Sequence, residues 1–220
     1  TWERDDSSWW SVVHATLLLG AIGGEAAVPA LIDAMFNAAE ADNDWVNEQM
    51  ASIWGAVGPR ALEELKDVAL DTGCDCYLRE RAMGGMAAVA LRHPDHEEEV
   101  FRFIAGIAAD EDDEPDSRSW AGNILLDFQR KEHEELLLTL ARSGVSEGHF
   151  HEDDVRRAFA GKKNLYWYQR DWLDFYDAGE IAKRQKRWEE ERLSEDEAWK
   201  HASADAIAED SGRSLPSKKR

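Results

Sequence analysis

The chain has almost no cysteine. Only Cys74 and Cys76, one residue apart, stand among its 220 residues. That excludes a disulfide framework, which needs more pairs at longer spacing, and it is the usage of a reducing compartment, so a cytoplasmic protein is expected. Long apolar runs are also missing. The longest, Val12 to Ile22, is interrupted by His14, Thr16 and Gly20 and falls short of the ~20 residues a membrane helix needs. No cationic segment followed by a cleavage site marks a secretory signal. Sustained alternation of apolar and polar residues between turns, the mark of strands, is absent. So are the nucleophile elbow Gly-x-Ser-x-Gly, a phosphate loop and a zinc-protease helix. Carboxylates are so abundant that no one pair is singled out as acid and base. No enzyme, no cofactor and no membrane association are expected.

Negative charge is what the chain has in excess. Its formal net charge is -20, and the distribution is lopsided. Residues 1–150 carry 30 Asp and Glu against 11 Lys and Arg, whereas residues 151–220 carry 16 against 15. Such asymmetry marks two functional regions. The acidic region should repel DNA, RNA and anionic lipid, which are held by neutralising phosphates with Lys and Arg. It should attract basic partners.

The acidic region repeats. Leu19-Gly20-Ala21-Ile22-Gly23 returns as Trp54-Gly55-Ala56-Val57-Gly58, and the same offset of 35 carries Trp10 onto Trp45. Polar clusters able to cap a helix precede each copy, at Asp5 to Ser8 and at Asp42 to Asp44. Looser copies end at Ala87 to Ala90 and lie around Trp120 to Leu126. Each unit reads as two helices. In the first, Val13, Leu17, Leu18 and Ala21 fall at helical spacing, Gly23-Gly24 breaks the chain, and Val28, Leu31, Ile32 and Met35 form a second apolar stripe with a period near 3.6. Pro29 sits in the first turn of that second helix, where the missing N–H costs little. The later units turn at Gly58-Pro59 and His93-Pro94 and then resume the stripe with Leu62, Leu65 and Val68, and with Val100, Phe103, Ile104 and Ile107.

The stretch from His14 to Leu31, with Ala15, Leu19-Gly20, Ile22-Gly23 and Val28-Pro29-Ala30-Leu31, resembles a HEAT-like repeat of the bacterial phycobilisome-lyase type. The resemblance covers roughly residues 7–144 and weakens along them. It implies an all-α protein, a right-handed α-α superhelix of about four helix pairs. For function it implies little, because such repeats serve adaptors, chromophore lyases and base-excision enzymes alike.

Residues 145–220 follow another pattern. A helix is predicted near Glu152 to Ala160, followed by an aromatic stripe of Leu165, Tyr168, Trp172, Phe175 and Tyr176 at helical spacing. Another helix is predicted near Ala178 to Arg192, and the capping box Ser194-Glu195-Asp196-Glu197 should open a last one. The organisation expected is a repeat solenoid over 1–144, a helical cap over 145–210 covering the last repeat, as solenoids require, and a disordered tail over 211–220.

Second helices line the concave side of HEAT solenoids. Here they carry Asp33 and Glu40, then Glu63, Glu64 and Asp67, then Glu97 and Glu98, then Glu134. Carboxylates on a concave face focus a negative potential. Two readings stand side by side: a groove for a basic protein segment, or a solvated surface that keeps the protein in solution. The exposed tryptophans expected at Trp2, Trp9 and Trp199 are candidate interface anchors. The loop Asp110 to Asp116 lacks calcium-loop spacing and its turn glycine and reads as a mobile acidic loop. The histidines of 93–96 and 149–151 have no second pair in view for zinc, and Cys-x-Cys lacks redox spacing, so no metal site is expected. The basic run Lys183 to Arg187 beside Trp188 is shared with Glu189 to Glu191 and reads as a cap before a nucleic-acid patch.

The expectation for function is a non-enzymatic scaffold or adaptor holding a basic or amphipathic protein on an acidic concave face. The alternatives are a HEAT-type lyase or other ligand-binding enzyme, and an acidic mimic of DNA that inhibits a nucleic-acid-binding protein.

Overall fold

A computed structural model describes residues 8–211, with side chains for residues 10–194 and 199. Among the described residues every regular element is helical, and no helix is long and apolar enough to cross a membrane. The chain divides into two compact units, the first ending at Trp172 and the second beginning at Leu173. The expected division at 144/145 therefore falls inside the first unit.

The first unit is built from helix pairs that share one design. Helices α1 (Ser8–Ile22) and α2 (Val28–Glu40) are joined through a 3-10 turn at Glu25–Ala27. After the short α3 (Asp44–Asn47), α4 (Met50–Val57) and α5 (Leu62–Leu70) are joined through Pro59–Ala61. Then come α6 (Cys76–Arg92) and α7 (Glu97–Ala109) through Pro94–His96, and α8 (Pro115–Asp127) and α9 (Glu134–Ser143) through Lys131–His133. Helix α10 (Glu152–Ala160) packs on α8 and α9. First helices stack on first helices: α1 on α4, α4 on α6, and α6 on α8.

The repeated Leu/Trp-Gly-Ala-Ile/Val-Gly motif has a packing cause. A Cβ on Gly20 would stand 2.8 Å from Cγ2 of Ile53, and one on Gly55 would stand 3.0 Å from the carbonyl oxygen of Ala88. Both glycines therefore let one first helix approach the next, and Ile53 and Ala88 are themselves 35 residues apart. The apolar stripes fill the space between helices: Val13, Leu17, Leu31, Met35, Met50, Ile53, Trp54 and Leu65 are all fully buried. The aligned tryptophans Trp10 and Trp45 pack on each other with ring centroids 5.4 Å apart.

Two local expectations are corrected here. The loop at Asp110 is fastened rather than loose: Asp113 accepts two hydrogen bonds from the buried Arg79 of α6, at 2.7 and 2.5 Å. The aromatic stripe beginning at Leu165 is not one helix. Residues 161–165 are irregular, followed by short 3-10 turns at Tyr166–Tyr168 and Trp172–Tyr176.

The segment before residue 172 does not simply close the last repeat. It runs back along the first helices as a strap: Asn164 and Tyr168 bond Asp127 of α8, Ser52 of α4 donates to the carbonyl of Trp167, and Trp172 donates from Nε1 to the carbonyl of Leu17 in α1 at 3.1 Å. Tyr168 and Trp172 are buried by this course, so their spacing reports contact with two different helices and not a helical face.

In the second unit, α11 (Ala178–Ser211) runs without a break through Ser194, where a new helix was expected. No glycine or proline stands between Glu180 and Ser211 to stop it. Ion pairs one turn apart add support, Lys183 with Glu180 at 2.6 Å and Lys186 with Glu190 at 3.7 Å. Arg184 lies over the ring of Phe175. The basic run is thus largely satisfied within its own unit. The tail beyond Ser211 lies outside the described residues.

Candidate functional site

The acidic residues of the second helices fall into two groups. One group is neutralised from within. Lys66 bridges Glu63 of its own helix and Glu99 of α7, at 2.9 and 2.7 Å. Hydrogen bonding to Glu99 holds the ammonium above its ordinary value, and Lys66 in turn holds the Glu99 carboxyl below its own. Arg130 reaches Glu97, Glu98 and Glu132, and Arg102 pairs with Glu98 one turn away at 2.9 Å.

The other group is not neutralised. Asp33 of α2 and Glu64 and Asp67 of α5 line a cleft of about 420 Å³, together with Asp71 at the end of α5. None of Asp33, Glu64 and Asp67 has a cation at ion-pair distance among the described residues. The rest of the lining is apolar: Pro29, Ile32 and Phe36 from α2, and Val68 from α5. Phe36 is 41% exposed. A cleft lined by both carboxylates and hydrocarbon suits a ligand that carries both cationic and apolar groups. The residues do not converge as metal ligands: among the described residues no three His, Cys, Asp or Glu side chains are grouped to hold an ion.

The structure thus brings together three of the eight expected acidic residues. Glu63, Glu97 and Glu98 sit in ion pairs, while Glu40 at the end of α2 and Glu134 at the start of α9 lie outside the cleft lining. Of the expected interface tryptophans, Trp199 is 72% exposed. Trp2 and the side chain of Trp9 lie outside the described residues.

A second polar cluster was not foreseen from the sequence. Under the strap, the hydroxyl of Tyr168 donates to Oδ2 of Asp127 at 2.9 Å, and Nδ2 of Asn164 donates to Oδ1 at 3.2 Å. Burial pushes the Asp127 carboxyl up to about 6 against those two bonds. Burial likewise pushes Glu80 of α6 up to about 7, with the Asp127 charge adding and Arg81 opposing. Tyr168, 5% exposed and facing both acids, is held well above its ordinary value, burial being the chief cause. The cluster fastens the strap to α8. The thiols are not activated either: burial pushes Cys74 and Cys76 up, and Asp71 and Glu114 respectively add to it.

No family model matches the chain, and no curated protein or solved structure matches it.

Proposed function

We propose that the chain is a non-enzymatic interaction scaffold. In this reading its helix pairs stack as a short right-handed HEAT-like solenoid, and the second helices present an acidic concave face to a basic or amphipathic protein. The observation that carries the reading is the α2–α5 cleft, where carboxylates without an ion-pair partner lie beside apolar side chains. Four helix pairs joined through equivalent 3-10 turns support the repeat architecture, and the resemblance of His14 to Leu31 to HEAT-like repeats agrees with it. The mechanism is electrostatic attraction followed by burial of a few apolar anchors. Free thiols at Cys74 and Cys76 accord with a reducing, cytoplasmic setting.

The test compares the tagged wild-type chain with the charge-reversed variant Asp33→Lys, Glu64→Lys, Asp67→Lys in pull-downs from host lysate. A stoichiometric protein held by the wild type at low salt, released by high salt and lost by the variant is the expected result. A partner retained equally by both chains sinks the acidic-face reading.

A further inference from the structure

The helix pairs share a register that can be read from their 3-10 turns. Each second helix starts directly after its turn, α2 at Val28, α5 at Leu62 and α7 at Glu97. Lys66 is the fifth residue of α5, and Ile32 is the fifth residue of α2. Glu99 is the third residue of α7, and Glu64 is the third of α5. The ion pair between Lys66 and Glu99, at 2.7 Å, therefore has its counterpart one pair earlier in Ile32 and Glu64, and both of these line the cleft. Isoleucine stands where the next rung has its lysine.

Arg130, just before the turn into α9, is the other neutralising cation; it reaches Glu97 and Glu98, the first two residues of α7, and the first two residues of α2 are Val28 and Pro29. The acid of the α2–α5 rung that has lost its cation is therefore Glu64. A carboxylate left without its cation beside hydrocarbon gains most from a cation delivered on an aliphatic stem, since such side chains lay methylenes on apolar surface and keep the charged head at the rim.

We infer that the α2–α5 cleft is a slot for a lysine or arginine side chain carried on an amphipathic segment of a second protein, with the cation set on Glu64 as Lys66 is set on Glu99. This rests on the scaffold reading and names the group that reading requires. The stem lies against Ile32, Phe36 and Val68.

Ile32→Lys tests the slot by filling it from within. The probe is a fluorescent, end-blocked amphipathic helical peptide of leucine and lysine, titrated by anisotropy at low and physiological salt. The control is Glu111→Gln, which changes net charge by the same amount on the exposed Asp110 loop. Ile32→Lys should weaken the peptide by about tenfold or more and Glu111→Gln by less than about twofold, with the melting temperature of Ile32→Lys at or above the wild type. If Ile32→Lys fails to fold, Glu64→Gln replaces it and should show the same loss.

Equal weakening by Ile32→Lys and Glu111→Gln overturns the slot and leaves the acidic scaffold standing on bulk charge. A glutamine-for-lysine version of the peptide that binds equally well overturns the cationic requirement. No binding of the lysine peptide even at low salt overturns the slot and the acidic-face reading together.

Discussion

Arg79 and Asp113 form the most deeply placed ion pair of the first unit. The arginine is 1% exposed, sets two nitrogens on the carboxylate, and donates from Nε to the carbonyl of Ala69 at 2.8 Å. One side chain of α6 thereby ties the end of α5 to the loop that leads into α8. Arg118 of α8 repeats half of the device, donating from Nε to the carbonyl of Ala108 at 3.3 Å.

Arg79→Ala should destabilise the protein by ~3–5 kcal/mol, because it strands a nearly buried carboxylate and a helix-end carbonyl. Urea unfolding at neutral pH measures it. Asp113 is held below its usual range by Arg79. A depressed acid stabilises the fold above its unfolded value and ceases to do so as pH falls through the folded one. The stability gap between wild type and Asp113→Asn should therefore be full at neutral pH and close in strong acid. A gap that persists unchanged in strong acid contradicts the pairing.

The fastening under the strap has the opposite sign. Asp127 and Glu80 are raised, to about 6 and about 7, so the folded chain holds protons that the unfolded chain releases at lower pH. Their contribution is most favourable below the unfolded values and is lost as pH rises through the folded ones, by a few kcal/mol in all. Wild-type stability should fall between about pH 4 and pH 7, and Asp127→Asn, which keeps a carbonyl oxygen for Tyr168, together with Glu80→Gln should flatten that fall. Identical pH profiles for wild type and the double variant would show that these acids are not buried as described.

Two helix glycines should respond to alanine with opposite signs. A Cβ on Gly85 would stand 2.7 Å from Cδ1 of the fully buried Trp54, whereas one on Gly106 meets nothing within 4 Å. Gly85→Ala should cost ~1–3 kcal/mol through overpacking. Gly106→Ala, in the exposed interior of α7, should add ~0.5–1 kcal/mol from helix propensity and lost freedom of the unfolded chain. Thermal melts of the two single variants decide it.

Much of the first unit was legible in advance. Helical periodicity marked both helices of each pair, and the turns at Gly23-Gly24, Gly58-Pro59 and His93-Pro94 fell where the 3-10 connections are. The strap was misread because Tyr168 and Trp172, four residues apart, mimic a helical face while contacting different helices. The fastened acidic loop was misread because nothing local distinguishes Asp113 from its acidic neighbours, and its partner Arg79 is 34 residues away.

The sequence by itself determined the helical class, the pairing of helices and the surplus of carboxylates on the second helix of each pair. Periodicity, turn residues and charge are properties of neighbours along the chain, and they need no tertiary contact to be read. Which carboxylates remain without a cation was decided only by the tertiary structure. Lys66 can reach Glu99 across a rung, and Ile32 at the same register cannot serve Glu64. Neutralisation depends on distances of a few ångströms between helices more than 30 residues apart, and those distances exist only once the pairs have packed.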